Sequence, residues 1–137
     1  MKARVLVVDD ATTVRMYHRK LLADAGWETE EAINGLEAWE LLQRSGSEHA
    51  FDLLVVDINM PKMDGYRLVH ALRSDSSLPQ PPVLMVSTES QQQDGVRARE
   101  VGANCYLIKP AQPQCLVLAA ALLLGDADAA RKTVSKE

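Results

Sequence analysis

Residues 5–8, 53–56, 83–86 and 106–108 form four short runs that are apolar on successive positions. A strand with one face in water alternates apolar and polar side chains, so an unbroken apolar run needs cover on both faces. Residues 27–32 read differently. There Trp27, Thr29 and Glu31 alternate with Glu28 and Glu30, the half-exposed pattern of a strand at a sheet edge.

Helical patterns fill the intervals. The first puts Val14, Tyr17, Leu21, Leu22 and Ala25 on one face, and Gly26 stops it. The second begins at Asn34, with Glu37 three residues on in a capping-box arrangement, and carries Leu36, Ala38, Leu41 and Leu42. The third opens at Asp64 as N-cap and buries Leu68, Val69 and Leu72. The fourth, about residues 90–101, has little apolar surface and an interior Gly95, so it is expected to be the least stable element. The fifth starts near Pro113, a favourable first-turn position, and runs through Leu124.

Five strands alternating with five helices predict an α/β domain with a parallel sheet. Right-handed crossovers restrict the topology. With the second strand at an edge, the expected fold is a flavodoxin-like (βα)5 doubly wound sheet of order 2-1-3-4-5. The domain is expected over residues 1–124, followed by a small, charged tail at 125–137 that is frayed helix or disordered.

The chain has 137 residues, enough to bury an aliphatic core without disulfides or structural metal. Its net charge is −4 and no basic stripe runs along any segment, which argues against nucleic-acid binding. Cys105 and Cys115 sit in apolar stretches and read as reduced, buried cysteines of a cytoplasmic protein. The first residues start a strand and lack the features of a signal peptide. The longest apolar run, 115–124, is too short to span a bilayer, so no membrane insertion is expected.

In open α/β sheets, function lies beyond the carboxyl ends of the strands. Those ends read Asp9-Asp10, Asp57-Ile58-Asn59, Ser87-Thr88 and Lys109-Pro110. Taken singly, each has an ordinary reading as a turn, a helix cap or a solvated lysine. Together they bring three carboxylates, a hydroxyl and an ammonium to one rim. Three packed carboxylates repel one another. A hard cation with oxygen ligands relieves that, and a few carboxylates plus water suit Mg²⁺. Mg²⁺ beside a carboxylate and a lysine is a phosphoryl-transfer arrangement, and the acceptor can itself be a carboxylate.

These residues carry a resemblance. Val7-Val8-Asp9-Asp10, the run from Asp57 through Met60-Pro61 to Asp64-Gly65, Ser87 and Lys109-Pro110 resemble the receiver domains of two-component response regulators, particularly the stand-alone chemotaxis type. The resemblance implies that Asp57 takes phosphate from the phosphohistidine of a histidine kinase. Asp10 and Asp57 would hold Mg²⁺ by carboxylates, Asn59 by its main-chain carbonyl and Asp9 through a coordinated water. Lys109 would pair with a phosphoryl oxygen, Ser87 would be the switch hydroxyl and Tyr106 the switch aromatic. It also implies a cis Lys109–Pro110 bond. Asn59, Thr88 and Glu89 are expected to tune the lifetime of the phosphoryl group, Thr88 by narrowing the path of the attacking water. Ala111 stands where such domains often carry Phe, which is expected to loosen the loop before the fifth helix.

That helix is apolar around its whole circumference, so either the tail covers it or a partner does. The reading preferred here is a protein-binding or homodimer face made by the fourth helix, fifth strand and fifth helix. No second domain is read, so output to a downstream target would run through protein contacts. The principal alternative is a haloacid-dehalogenase-type, Mg²⁺-dependent phosphatase with Asp57 as nucleophile. It would want a second Asp where Asn59 stands. A flavodoxin-like redox protein or a dinucleotide-binding module would need phosphate loops after the first strand that Asp9-Asp10 replaces.

Overall fold

The computed structural model describes residues 2–89 and 91–135. Its elements follow in the order β1 (Arg4–Val8), α1 (Thr12–Asp24), β2 (Glu28–Ala32), α2 (Gly35–Ser45), β3 (Leu53–Val56), α3 (Gly65–Ser74), β4 (Val83–Ser87), α4 (Gln92–Val101), β5 (Cys105–Ile108), α5 (Pro113–Leu124) and α6 (Ala127–Ser135). The strands form one sheet in the order β2-β1-β3-β4-β5, and every pairing is parallel. The expected flavodoxin-like architecture is therefore observed.

The alternation of side chains along each central strand splits the core in two. Leu6, Val8, Leu54, Val56, Val83 and Met85 face α2, α3 and α4. Val5, Val7, Leu53, Val55, Leu84 and Val86 face α1, α5 and α6. Runs that are apolar on successive residues are the direct consequence of this double cover. Asn34 caps α2 by accepting from the Glu37 N–H at 2.8 Å. The Ile33 N–H, one residue ahead of the cap, donates in turn to the Glu37 carboxylate. Asp64 caps α3 through the Arg67 N–H at 2.9 Å, and Leu68, Val69 and Leu72 are buried as expected.

Helix α1 departs from the expected face. Its buried residues are Arg15, His18 and Leu22, while Tyr17 is exposed and Val14, Leu21 and Ala25 are only half-buried. Polar side chains sit inside because partners await Arg15 there, at the end of β1 and on β2. In α2, Ala38 and Leu42 are buried but Leu36 is exposed and Leu41 half-buried. Helix α4 buries only Ala98 among its described residues, in line with its expected weakness. Ser90, where this helix was expected to start, lies outside the described residues.

The tail takes the helical one of its two expected states, packed rather than frayed. It forms helix α6, whose Ala129 and Thr133 are buried and whose Ala129 and Ala130 pack in the α5 side of the core. Asp126 anchors it twice, accepting from the Ala129 N–H at 3.0 Å and from Trp27 Nε1 at 2.9 Å. Much of the apolar circumference of α5 is thus covered from within the chain. Leu122 and Cys115 remain exposed. Cys115 is accordingly not the buried cysteine expected from its apolar neighbours, and Cys105 is half-buried; both are free thiols. Among the described residues no helix is long and apolar enough to cross a membrane.

Candidate functional site

Parallel pairing delivers the polar residues to one rim. The ladder runs one hydrogen bond past each strand end: Asp9 N–H to the Ala32 carbonyl, Asp57 N–H to the Val8 carbonyl and Lys109 N–H to the Ser87 carbonyl. Asp9, Asp57, Ser87 and Lys109 are therefore held by sheet geometry rather than by loops. The β3–α3 connection folds back underneath. Gly65 N–H donates to the Ile58 carbonyl at 2.8 Å, and Gly35 N–H to the Met63 carbonyl at 3.1 Å. The Lys109–Pro110 bond is cis, as the resemblance implies.

One carboxylate oxygen from each of Asp9, Asp10 and Asp57 lies within 4.8 Å of the others. Asp9 and Asp57 are buried, at 2% and 8% exposure, whereas Asp10 is open to solvent. Lys109 Nζ lies 2.7 Å from Asp9 Oδ2 and 3.2 Å from Asp57 Oδ1. Asp9 Oδ1 accepts from the Ala11 N–H at 2.9 Å. Burial and the neighbouring Asp9 charge push the Asp57 carboxyl up to about 6, against the opposing pull of Lys109. Burial acts to lower the Lys109 ammonium, but its bond to Asp9 and the charges of both aspartates outweigh that and raise it. One ammonium thus serves two crowded carboxylates and leaves uncompensated negative charge. An open cluster of hard oxygen donors with one solvent-facing member fits a hydrated divalent cation such as Mg²⁺.

On the other flank, Ser87 is fully buried. Its Oγ accepts from the Glu89 N–H at 3.3 Å. Asn59 Nδ2 donates to Glu89 Oε1 at 2.6 Å, and the Tyr106 hydroxyl donates to the Glu89 carbonyl at 2.6 Å. Glu89 is thus the node that joins the β3 end, the buried hydroxyl and the aromatic of β5. Thr88 is exposed and, with Ala111, lines a cavity of about 310 Å³ that also meets His18 and Lys109.

Two residues at this rim went unread in the sequence. Arg15 Nη1 donates to the Asp9 carbonyl at 2.8 Å, and Arg15 also pairs with Glu31. His18 is 4% exposed, its Nδ1 lacks a partner among the described residues, and burial holds its imidazole below the usual range. Their three-residue spacing, with Leu22 four further on, was the available signal.

The sequence matches the response regulator receiver domain over residues 5–121. The chain belongs to this family. It is 37% identical to chemotaxis protein CheY1 of Helicobacter pylori over 126 residues, covering 91% of this chain and 99% of that one. It is 41% identical to chemotaxis protein CheY of Pseudomonas aeruginosa over 114 residues, covering 82% of this chain and 89% of the relative. Among solved structures it resembles chemotaxis protein CheY4 of Vibrio cholerae, with a TM-score of 0.80 at 35% identity and coverage of 90% and 99%. It also resembles a putative response regulator of Chloroflexus aurantiacus, with a TM-score of 0.83 at 31% identity and coverage of 91% and 99%. Residues 5–121 thus form a CheY-like receiver domain of a two-component response regulator, a signalling module. The haloacid-dehalogenase-type alternative finds no support. Receiver domains bind Mg²⁺ at an aspartate cluster, and this chain has such a cluster. Helix α6 lies beyond the matched residues.

Proposed function

We propose that Asp57 accepts a phosphoryl group from the phosphohistidine of a histidine kinase and that the phosphorylated chain carries the signal to a protein target, in chemotaxis or a phosphorelay. The carrying observation is the buried Asp57 carboxylate at the end of a central strand, bridged to Asp9 by the Lys109 ammonium. A carboxylate oxygen of Asp57 forms the new P–O bond, the P–N bond of the donor breaks, and the leaving imidazole keeps its electron pair and takes up a proton. Asp9, Asp10, Asp57 and the Asn59 main-chain carbonyl would hold Mg²⁺, with Asp9 acting through a coordinated water. The cation supplies charge neutralisation on the phosphoryl oxygens. Lys109 exchanges the Asp57 oxygen for a phosphoryl oxygen while keeping Asp9.

The output follows from Glu89. A phosphoryl group on Asp57 offers acceptors to Ser87 and to nearby main-chain N–H groups. If Ser87 Oγ turns to donate there, it drags on the Glu89 N–H, and the Tyr106 bond to the Glu89 carbonyl breaks with it. Two or three charge-assisted bonds at about 1.5–3 kcal/mol each match the roughly 5.5 kcal/mol that drives a two-state element from one to ninety-nine per cent. Weakly packed α4 is the element that such a bias can move. Val96, Ile108 and Leu122 are exposed on α4, β5 and α5, which supports this face as the contact surface for the target. A second copy is the other occupant of that face, and light scattering of the phosphorylated chain separates the two.

Incubation with acetyl phosphate and Mg²⁺, read by mass spectrometry, should add one phosphoryl group to the wild type and none to Asp57→Asn. No addition in a wild type that binds Mg²⁺ would sink the reading. For lifetime, the exposed Thr88 shares a cavity wall with Lys109, which supports a role for it in limiting the attacking water. Thr88→Ala should speed dephosphorylation by about tenfold, or roughly 1.4 kcal/mol of barrier. Asn59 and Glu89 tune the same step through their mutual hydrogen bond. An unchanged decay rate in Thr88→Ala would remove the gating role.

A further inference from the structure

Asp10 presents a difficulty for the metal site. Its carboxylate is exposed, and among the described residues no hydrogen bond or ion pair holds it. Asp9 differs, since Ala11 N–H and Lys109 Nζ fix its two oxygens. The position of Asp10 therefore depends on its backbone. The peptide that joins Asp9 to Asp10 is gripped at one atom by a side chain, the Asp9 carbonyl, which accepts from Arg15 Nη1 at 2.8 Å.

That grip is itself built. Arg15 is 8% exposed, unusual for a guanidinium on a surface helix. Its Nε faces Glu31 Oε1, and Arg19 pairs with Glu31 Oε2. Arg19 also donates to the Thr29 hydroxyl at 3.1 Å and to the Thr29 carbonyl at 3.2 Å, which ties it to the edge strand β2. The Arg15 hydrogen bond and the Arg19 charge hold the Glu31 carboxyl below the usual carboxylate range. A planar fork suits this double duty, because one guanidinium can face a carbonyl and a carboxylate at fixed angles.

We infer that Arg15, buttressed by Glu31, is a positioning residue that orients the Asp9–Asp10 peptide so that the exposed Asp10 carboxylate meets the cation held by Asp57. The inference rests on the proposed Mg²⁺ site. Groups that orient metal ligands from one step away are worth about 10–100-fold in metal affinity. Arg15 touches neither the phosphoryl group nor the donor, so its loss should weaken Mg²⁺ binding and spare the chemistry once metal saturates.

The test is Mg²⁺ titration by calorimetry of the wild type, Arg15→Met, Arg15→Lys and Glu31→Gln, with phosphorylation by acetyl phosphate measured across Mg²⁺ concentrations. Arg15→Met should raise the Mg²⁺ Kd about tenfold, with the phosphorylation rate at saturating Mg²⁺ within about twofold of wild type. Glu31→Gln should shift Kd in the same direction by less, and Arg15→Lys should recover part of the loss. A merely structural role predicts a lower melting temperature with unchanged Kd; that result overturns the inference. If Arg15→Met fails to fold, Glu31→Gln and Arg15→Lys decide, and unchanged Kd in both overturns it equally. A wild type that does not bind Mg²⁺ would instead sink the proposed function itself.

Discussion

Asp57→Asn should be more stable than the wild type at pH 7 in the absence of Mg²⁺, by about 2–3 kcal/mol, and the difference should vanish near pH 4. The folded Asp57 carboxyl sits at about 6 against an ordinary value of 3.8, chiefly because it is buried and secondly because Asp9 is charged beside it. Between those two values the folded chain keeps a proton that the unfolded chain releases. Wild-type stability from this group therefore falls as pH rises through the window and levels off above about 6. The gap corresponds to about 3 kcal/mol, and asparagine, which does not ionise, escapes it. His18 has the opposite sign, since burial lowers its imidazole and its contribution is lost as pH falls through the usual histidine range. It is present in both proteins and cancels in the difference. Urea unfolding at pH 4, 5.5 and 7.5 measures the curve. A difference that stays flat across these pH values would mean that Asp57 is not held at elevated pKa. The same variant removes the proposed phosphoryl acceptor, so it should combine higher stability with no signal, as expected where a functional group is kept at the expense of the fold.

The sheet and its rim were legible because they rest on local regularities. Leu53, Leu54, Val55 and Val56 announce a strand covered on both faces, and the polar residues Asp9, Asp57, Ser87 and Lys109 stand at or just past strand ends. The parallel register then converts a pattern in sequence into a cluster in space, with Asp57 N–H bonded to the Val8 carbonyl and Lys109 N–H to the Ser87 carbonyl. What stayed hidden involves polar groups with non-local partners. Arg15 and His18 look like surface residues in a helical wheel, since nothing near them in sequence shows the Asp9 carbonyl or Glu31. The acceptor of the Tyr106 hydroxyl is a main-chain carbonyl that no residue type betrays. The docking of α6 is not legible in the sequence, because its buried residues, Ala129 and Thr133, are small and its anchor is a Trp27–Asp126 bond across the chain. The apolar α5 left two covers open, the tail or a partner, and the packing of Ala129 and Ala130 shows that the tail supplies much of it.

Gly65 joins fold to site, because the backbone of the Asp57 strand end packs directly against it. A Cβ there would lie 2.4 Å from the Asp57 carbonyl oxygen and 3.0 Å from Ile58 Cα. Both obstacles are backbone, and that backbone is pinned by the Asp57 N–H bond to Val8 and the Gly65 N–H bond to Ile58. Neither can yield as a flexible side chain would. Gly65→Ala should therefore cost about 3 kcal/mol or more and displace Asp57 from Lys109, so that phosphorylation falls further than stability alone accounts for. Gly95→Ala is the matched control. That glycine lies inside α4 with nothing within 4 Å of its would-be Cβ, so alanine should stabilise by about 0.5–1 kcal/mol through helix propensity. Opposite signs for the same chemical change would separate a glycine required by backbone approach at the site from one that merely weakens a helix. Equal costs at both positions in urea unfolding would refute the close-approach account. A Gly65→Ala protein that keeps wild-type phosphorylation would show that the β3–α3 turn does not set the position of Asp57.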